Sequence, residues 1–210
     1  LKQEAERMGA EVHDLPAAQY QVGYTRIKRQ LDIWHLQQLN SPSTAIDARR
    51  NRTINPPSLR IRARDAFYRI NLSIPGKSYT LQKKLQEVLE TYTNIDVFET
   101  LLKSLKADAV FSMTPYFHQE ELLLWAAKRQ GLLLYTSILS FDNLTTRGWI
   151  PVIFDAYFLW NRYNEAELRR AYPGAADSNV AVVGAPQFDF YWDTSYIWDE
   201  KTWRERLGLP

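Results

Sequence analysis

The 210-residue, 24.6 kDa chain carries 26 Lys/Arg against 24 Asp/Glu, is 45% hydrophobic and 13% aromatic, and has no cysteine. Such a composition fits one large globular domain or two small ones and excludes disordered, collagen-like and low-complexity chains. Without cysteine there is no disulfide framework, thiolate nucleophile or Cys-based zinc site, and the scattered His13, His35 and His118 argue against a His-rich metal site. No apolar run approaches the roughly 18 residues of a membrane span. No basic-then-apolar signal peptide opens the sequence. Together these features read as a cytoplasmic domain. The small net charge of +2 hides an asymmetry. Residues 24–84 hold 13 Lys/Arg against 3 Asp/Glu, a net +10, while the rest holds 13 against 21, a net −8. One face of the molecule is therefore expected to meet something anionic.

In chain order, residues 1–9 read as the tail of a helix stopped by Gly9, and 10–13 as a short strand. A helix feeding a strand implies an earlier strand, so the chain reads as a piece of a longer protein. Residues 24–39 place Ile27, Leu31 and Trp34 at helical spacing. A polar loop is expected through Pro42 and Ser43, then a very basic stretch over 49–69 with Ser58 as a helix N-cap behind Pro56-Pro57. Pro75-Gly76 breaks the chain before an amphipathic helix with Leu81, Leu85, Val88 and Tyr92 on one face, and 96–106 reads as helical.

From residue 107 short apolar strands alternate with helices. Strands are expected at 108–113, 132–138, 154–160 and 179–183, and helices at 117–130 and 164–172, the latter opened by an Asn164/Glu167 capping box. This alternation means βαβ units and a parallel sheet. Residues 199–210 read as a last short helix closing at Gly208.

Two phosphate loops are dismissed. No G-x-G-x-x-G occurs, and Gly76-Lys77-Ser78 lacks both the first glycine of a Walker A loop, replaced by Asn71, and a strand leading into it. In an open parallel sheet ligands sit beyond the carboxyl ends of the strands. The loops there carry Thr114, Pro115 and His118, then 137–148, then 161–164, then 184–189. Short polar side chains recur at these tips, as a cleft for a polyhydroxylated ligand requires. Each has a second reading: Asp142 and Asn143 as an Asx turn, Asn164 as a helix cap, Gly184 and Pro186 as a tight strand exit, Gln187 and Asp189 as caps, His118 as a surface or capping residue.

Three segments, Ser140-Phe141-Asp142-Asn143-Leu144-Thr145-Thr146-Arg147-Gly148, Phe154-Asp155-Ala156-Tyr157-Phe158-Leu159-Trp160-Asn161 and Val183-Gly184-Ala185-Pro186-Gln187-Phe188-Asp189, resemble bacterial surface-carbohydrate biosynthesis proteins of the GT-B glycosyltransferase type. CDP-glycerol glycerophosphotransferases and UDP-N-acetylglucosamine 2-epimerases are relatives of that type. The match spans residues 107–192, with Phe141 where family members commonly have Trp.

The resemblance implies an α/β fold: a Rossmann-like parallel sheet flanked by helices, the N-terminal acceptor-side domain of a GT-B pair, lacking its first strand. Residues 1–192 would form that domain, with the basic helical region 24–106 inside it. Residues 193–210 would start the linker to a missing C-terminal donor domain. The implied function is transfer from a nucleotide-activated sugar, or CDP-glycerol, to an acceptor hydroxyl in polysaccharide biosynthesis. Asp142 and His118 are the candidate bases or acceptor-orienting groups. Ser140, Asn143, Thr145, Asn161, Gly184, Gln187 and Asp189 are the candidate substrate-binding residues. No cofactor or metal is expected in this fragment.

Arg49, Arg50, Arg52, Arg60, Arg62 and Arg64 would meet a lipid-linked phosphate acceptor or an anionic membrane, placing the protein on the inner face of the membrane as a peripheral component. Roughly 1 kcal/mol per basic residue near an anionic leaflet is enough for peripheral attachment. A solvated helix face is the plainer reading of the same arginines. Alternatives to the transferase are an NDP-sugar epimerase, needing no acceptor and no basic arm, and a non-catalytic sugar- or anion-binding domain. Nucleic acid is disfavoured, because no aromatic platform interleaves the basic stretch.

Overall fold

The computed structural model describes residues 2–39, 42–54 and 56–209. Helix α1 (Lys2–Arg7) ends in a turn at Gly9, whose φ of 82° lies in the left-handed region that glycine tolerates. The strand expected at 10–13 does not form. A strand needs a neighbour to receive its N–H and C=O groups, and the pairing here is a lone antiparallel bridge further on, Tyr20 to Thr93.

Helix α2 (Val22–Leu39) realises the expected periodicity, burying Tyr24, Ile27, Leu31 and Leu39 on one stripe. The loop expected at Pro42 is instead the start of α3 (Pro42–Ile54). Proline is tolerated in a helix's first turn, where its missing N–H has no partner to lose. In α4 (Leu59–Leu72), Ser58 caps the helix by accepting from Ile61 N at 3.4 Å, as the sequence suggests. The amphipathic helix after Gly76 divides into α5 (Lys77–Glu87) and the single turn α6 (Leu89–Tyr92). Leu81, Leu85 and Leu89 go inward. Helix α7 (Ile95–Ser104) buries Ile95, Phe98 and Leu102.

The alternating half builds four parallel strands in the order β1-β2-β3-β4: β1 (Ala109–Ser112), β2 (Leu133–Ser137), β3 (Ala156–Leu159) and β4 (Asn179–Val182). Register runs Val110 to Leu134, Tyr135 to Ala156 and Tyr157 to Val180. Helix α8 (His118–Arg129) joins β1 to β2 and packs on both. The one-turn α9 (Asn143–Thr146) lies on the way to β3, and α10 (Arg162–Ala171) joins β3 to β4. The cap expected at Asn164 sits three residues earlier. Asn161 is the cap, its Oδ1 accepting from Asn164 N at 2.9 Å, while Asn164 is buried inside the helix.

Because strand side chains alternate between faces, Val110, Ser112, Leu134, Thr136, Tyr157 and Leu159 face the helices and are buried. The opposite face carries Phe111, Leu133, Tyr135 and Phe158, of which Phe111 and Leu133 are half exposed, and the Phe111 and Phe158 rings meet at 5.9 Å. Parallel sheets ordinarily bury both faces. Here helices α8 and α10 pack on the strands and shield one of them. After β4 come two 3₁₀ stretches (Pro186–Trp192 and Thr194–Tyr196) and α11 (Glu200–Leu207), capped by Asp199 and closed by Gly208. No described helix is long and apolar enough to cross a membrane.

Candidate functional site

Three of the loops singled out in the sequence converge at the carboxyl end of the sheet. Asn164 Nδ2 donates to Phe141 O at 2.7 Å, tying the loop after β2 to α10. Gln187 Nε2, after β4, donates to Leu139 O at 3.1 Å. The rings of Phe141, Trp160 and Phe188, one from each loop, follow one another at 6.0 Å. Within the first loop the Asp142 carboxylate accepts from Ser140 Oγ at 2.6 Å and from Thr146 Oγ1 at 3.4 Å, and its carbonyl accepts from Thr145 Oγ1. Thr145 is buried and its hydroxyl is turned inward, and Asn161 serves as the α10 cap. Asn143 begins α9, and Gly184 takes a φ of 80° where the chain leaves β4. Asp189 is exposed in the 3₁₀ stretch.

Buried polar atoms without a hydrogen-bond partner among the described residues include Tyr116 OH, on the loop after β1, and Asn164 Oδ1, on α10. Burial raises the Tyr116 pKa well above the phenol range, and Tyr172, Tyr157, Arg147 and Asp142 are its electrostatic neighbours. At the tip of β1, Ser112 Oγ and Thr114 Oγ1 both donate to Glu120.

His118 lies apart from this cluster, at the first turn of α8. Its Nδ1 is 3.3 Å from Glu121 Oε2, one helical turn on. Glu121 is buried, and its other oxygen accepts from Tyr24 OH at 2.7 Å. Tyr24 OH in turn accepts from Trp125 Nε1 at 3.0 Å. The backbone carbonyl of His118 accepts from Tyr20 OH at 2.6 Å. The imidazole itself remains 63% exposed. The hydrogen bond to Glu121 favours the imidazolium, so the His118 pKa stands above the ordinary value of 6.5.

That imidazole borders a cleft of about 790 Å³ between α2 and α4, lined by Arg26, Lys28, Arg29 and Asp32 from one helix and Arg60, Arg64, Phe67 and Tyr68 from the other. Lys28 is buried at its base, with Nζ 3.0 Å from Asp32 Oδ1. Burial opposes the ammonium charge, but Glu121 and Asp32 outweigh it and keep the Lys28 pKa above the ordinary lysine value. Asp32 Oδ1 also accepts from Trp149 N at 2.8 Å, which fastens the end of the 140–148 loop to α2. A Cβ added at Gly148 would lie 2.8 Å from that same oxygen. Gly148→Ala is therefore expected to push Asp32 off Trp149 N and to destabilise the fold by about 1–3 kcal/mol. An unchanged midpoint in urea denaturation would show that the contact carries no weight.

The predicted basic residues divide between two helices. Arg60 and Arg64 line the cleft, Arg62 points to solvent on the same helix, and Arg49 and Arg50 are exposed on α3. The side chain of Arg52 lies outside the described residues. Asp65, the one acid of the stretch, is held by Arg29 at 2.8 Å and faces Arg64 at 3.5 Å. Sequence reasoning missed Glu121, Lys28, Asp32, Arg26 and Arg29. The His118/Glu121 spacing of three residues on a predicted helix was an available signal. The meeting of α2 with α4 was not.

These features define an α/β protein with a Rossmann-like, four-stranded parallel sheet, a polar loop cluster at its carboxyl end and a cationic cleft beside it. No family model, curated protein or solved structure matches the chain. No group of three or more His, Asp or Glu among the described residues could hold a metal ion.

Proposed function

We propose that this chain is the acceptor-side half of a GT-B-type glycosyl- or glycerophosphotransferase, moving a group from a nucleotide-activated sugar or CDP-glycerol onto an acceptor hydroxyl in surface polysaccharide assembly. The observation that carries the reading is the His118 imidazole, held through Nδ1 by Glu121 and open at the mouth of a cationic cleft. A carboxylate-oriented imidazole is a general base for a hydroxyl proton near neutral pH. In the proposed step, neutral His118 takes the acceptor's proton on Nε2 as the acceptor oxygen bonds to the donor carbon or phosphorus. The bond to the leaving nucleotide breaks, and the nucleotide departs with that electron pair. Glu121 holds the ring and stabilises the imidazolium that results.

The converging loops with Ser140, Asp142, Asn143 and Gln187 would orient sugar hydroxyls. Asp142 is engaged by Ser140 and Thr146, which suits positioning more than proton abstraction. An anionic acceptor fits the cationic cleft and favours transfer over epimerisation, which needs no acceptor. Arg49, Arg50 and Arg62 remain at the surface, available for peripheral contact with an anionic membrane.

The test is acceptor-dependent nucleotide release by the full native polypeptide, over a panel of nucleotide sugars and CDP-glycerol. His118→Gln should lower kcat at least 100-fold, the range of a lost general base. In the active protein kcat/KM should climb with pH through an apparent pKa above 6.5, since the raised pKa keeps the base protonated to higher pH. Glu121→Gln should move that limb downward. Release that ignores acceptor, or turnover indifferent to His118, would remove the reading.

A further inference from the structure

We infer that the cleft between α2 and α4 is a binding site for a phosphate or diphosphate group, and that this group belongs to the acceptor of the transfer. Five cationic side chains line the cleft, against a single lining carboxylate, Asp32. Their ion pairs are unevenly distributed. Arg29 and Arg64 share Asp65, and Lys28 is taken by Asp32. Arg26 and Arg60, one from each helix, have no carboxylate partner among the described residues and face the same space. Two unpaired guanidinium groups across a cleft repel one another unless an anion sits between them. The complementary ligand charge is about −2 or more negative, the range from a phosphate monoester to a diphosphate, which Arg recognises through its planar, two-pronged donor set.

Lys28 adds a buried positive charge at the base, held ionised by Glu121 and Asp32. Its neighbourhood excludes water and so strengthens any attraction to an oxyanion. The volume of about 790 Å³ is that of a small-molecule site, ample for a diphosphate with part of its substituent. At the rim, Val22 and Phe67 expose apolar surface next to the arginines, so the group beyond the phosphate is expected to be apolar. Only part of the basic arm takes part: Arg60 and Arg64 recur at i and i+4 on the inner face of α4, and Arg26 and Arg29 at i and i+3 on α2. His118 at the mouth would face a hydroxyl borne by the same ligand.

The inference takes the acceptor from the transferase reading, but its test needs neither donor nor turnover. Inorganic pyrophosphate titrated into the chain by calorimetry should bind, more weakly as salt rises. Arg26→Gln/Arg60→Gln should weaken it about 100-fold, two charge-assisted contacts being lost. Arg49→Gln/Arg50→Gln, on α3, should leave it unchanged. All replaced side chains are exposed, and an unaltered thermal midpoint confirms that the variants fold.

Phosphatidylcholine vesicles with and without farnesyl diphosphate separate the sources. Capture by the lipid well beyond the affinity for pyrophosphate identifies a lipid-linked acceptor, and equal affinity a soluble phosphate ester. Failure of both probes to bind, or binding that survives the cleft pair and is lost with the α3 pair, overturns the site. Pyrophosphate binding without any transferase activity would sink the transferase and leave the site standing. Transfer activity without pyrophosphate binding would do the reverse.

Discussion

Glu121→Ala is expected to destabilise the protein by about 3–5 kcal/mol, the penalty for stranding a buried charge. Glu121 is 3% exposed and serves three partners at once. It accepts from the Tyr24 hydroxyl at 2.7 Å, faces His118 Nδ1 at 3.3 Å, and helps keep buried Lys28 ionised. Truncation leaves Tyr24 OH without its acceptor and Lys28 with Asp32 alone. Two variants divide these contributions. Tyr24→Phe deletes one hydroxyl and should cost about 1 kcal/mol, the net worth of a single hydrogen bond. A double variant, Glu121→Ala with Lys28→Met, should recover part of the loss, because it removes the orphaned charge as well. Urea denaturation at pH 7 checks all three. If Glu121→Ala loses less than about 1 kcal/mol, the cluster does not hold α2 to α8.

A second large effect is expected on acidification, through His35. This residue is buried on α2 beneath the 140–148 loop. Its Nε2 donates to Leu144 O at 3.4 Å and lies 3.3 Å from Tyr172 OH, while Nδ1 has no partner among the described residues. Burial drives the His35 pKa down from 6.5 to about 4, although Leu144 O and Asp32 pull the other way and Lys28 adds to the fall. A lowered folded pKa means that the unfolded chain binds the proton more readily. The stability contributed by neutral His35 is therefore complete above pH 6.5 and is lost as pH falls towards 4. The difference amounts to at most about 3 kcal/mol.

His118 acts in the opposite sense. Its raised pKa contributes stability that is present below pH 6.5 and lost as pH rises through the folded value. Exposure and solvent screening keep that contribution small. Net acid sensitivity should then follow His35. His35→Phe, which preserves the ring contact with Tyr172 at 4.9 Å, should flatten the decline in stability between pH 6.5 and 4.5 relative to the parent. An equally steep decline in the variant would place the acid-sensitive group elsewhere.

The contrast between His35 and His118 shows what a single sequence can reveal. His118 stands out in the sequence because it opens a predicted helix after a predicted strand, where α/β ligands gather. His35 does not stand out, because nothing in its neighbourhood along the chain foretells a loop more than a hundred residues later covering it. Helical and strand periods are local properties, so α2, α4, α7, α8 and the four strands were all legible, as were the Ser58 cap and the Gly208 stop. The readings that failed depended on partners or on close competitors. Residues 10–13 pair with no strand among the described residues, Pro42 begins a helix where a loop is expected, and Asn161 outcompetes Asn164 for the cap.

The sequence by itself determined the α/β alternation, the parallel sheet, the excess of positive charge over residues 24–84 and the absence of any cysteine chemistry. These follow from side-chain period, composition and covalent inventory, which need no third dimension. Tertiary structure alone decided which charges matter. It set Arg26 and Arg60 across one cleft, buried Lys28 between Asp32 and Glu121, and pointed the exposed His118 ring at the same space. Packing α2 against α4 and α8 brings together groups nearly a hundred positions apart. The energy of a charge depends on its distance to other charges and on the water it has lost, and packing fixes both.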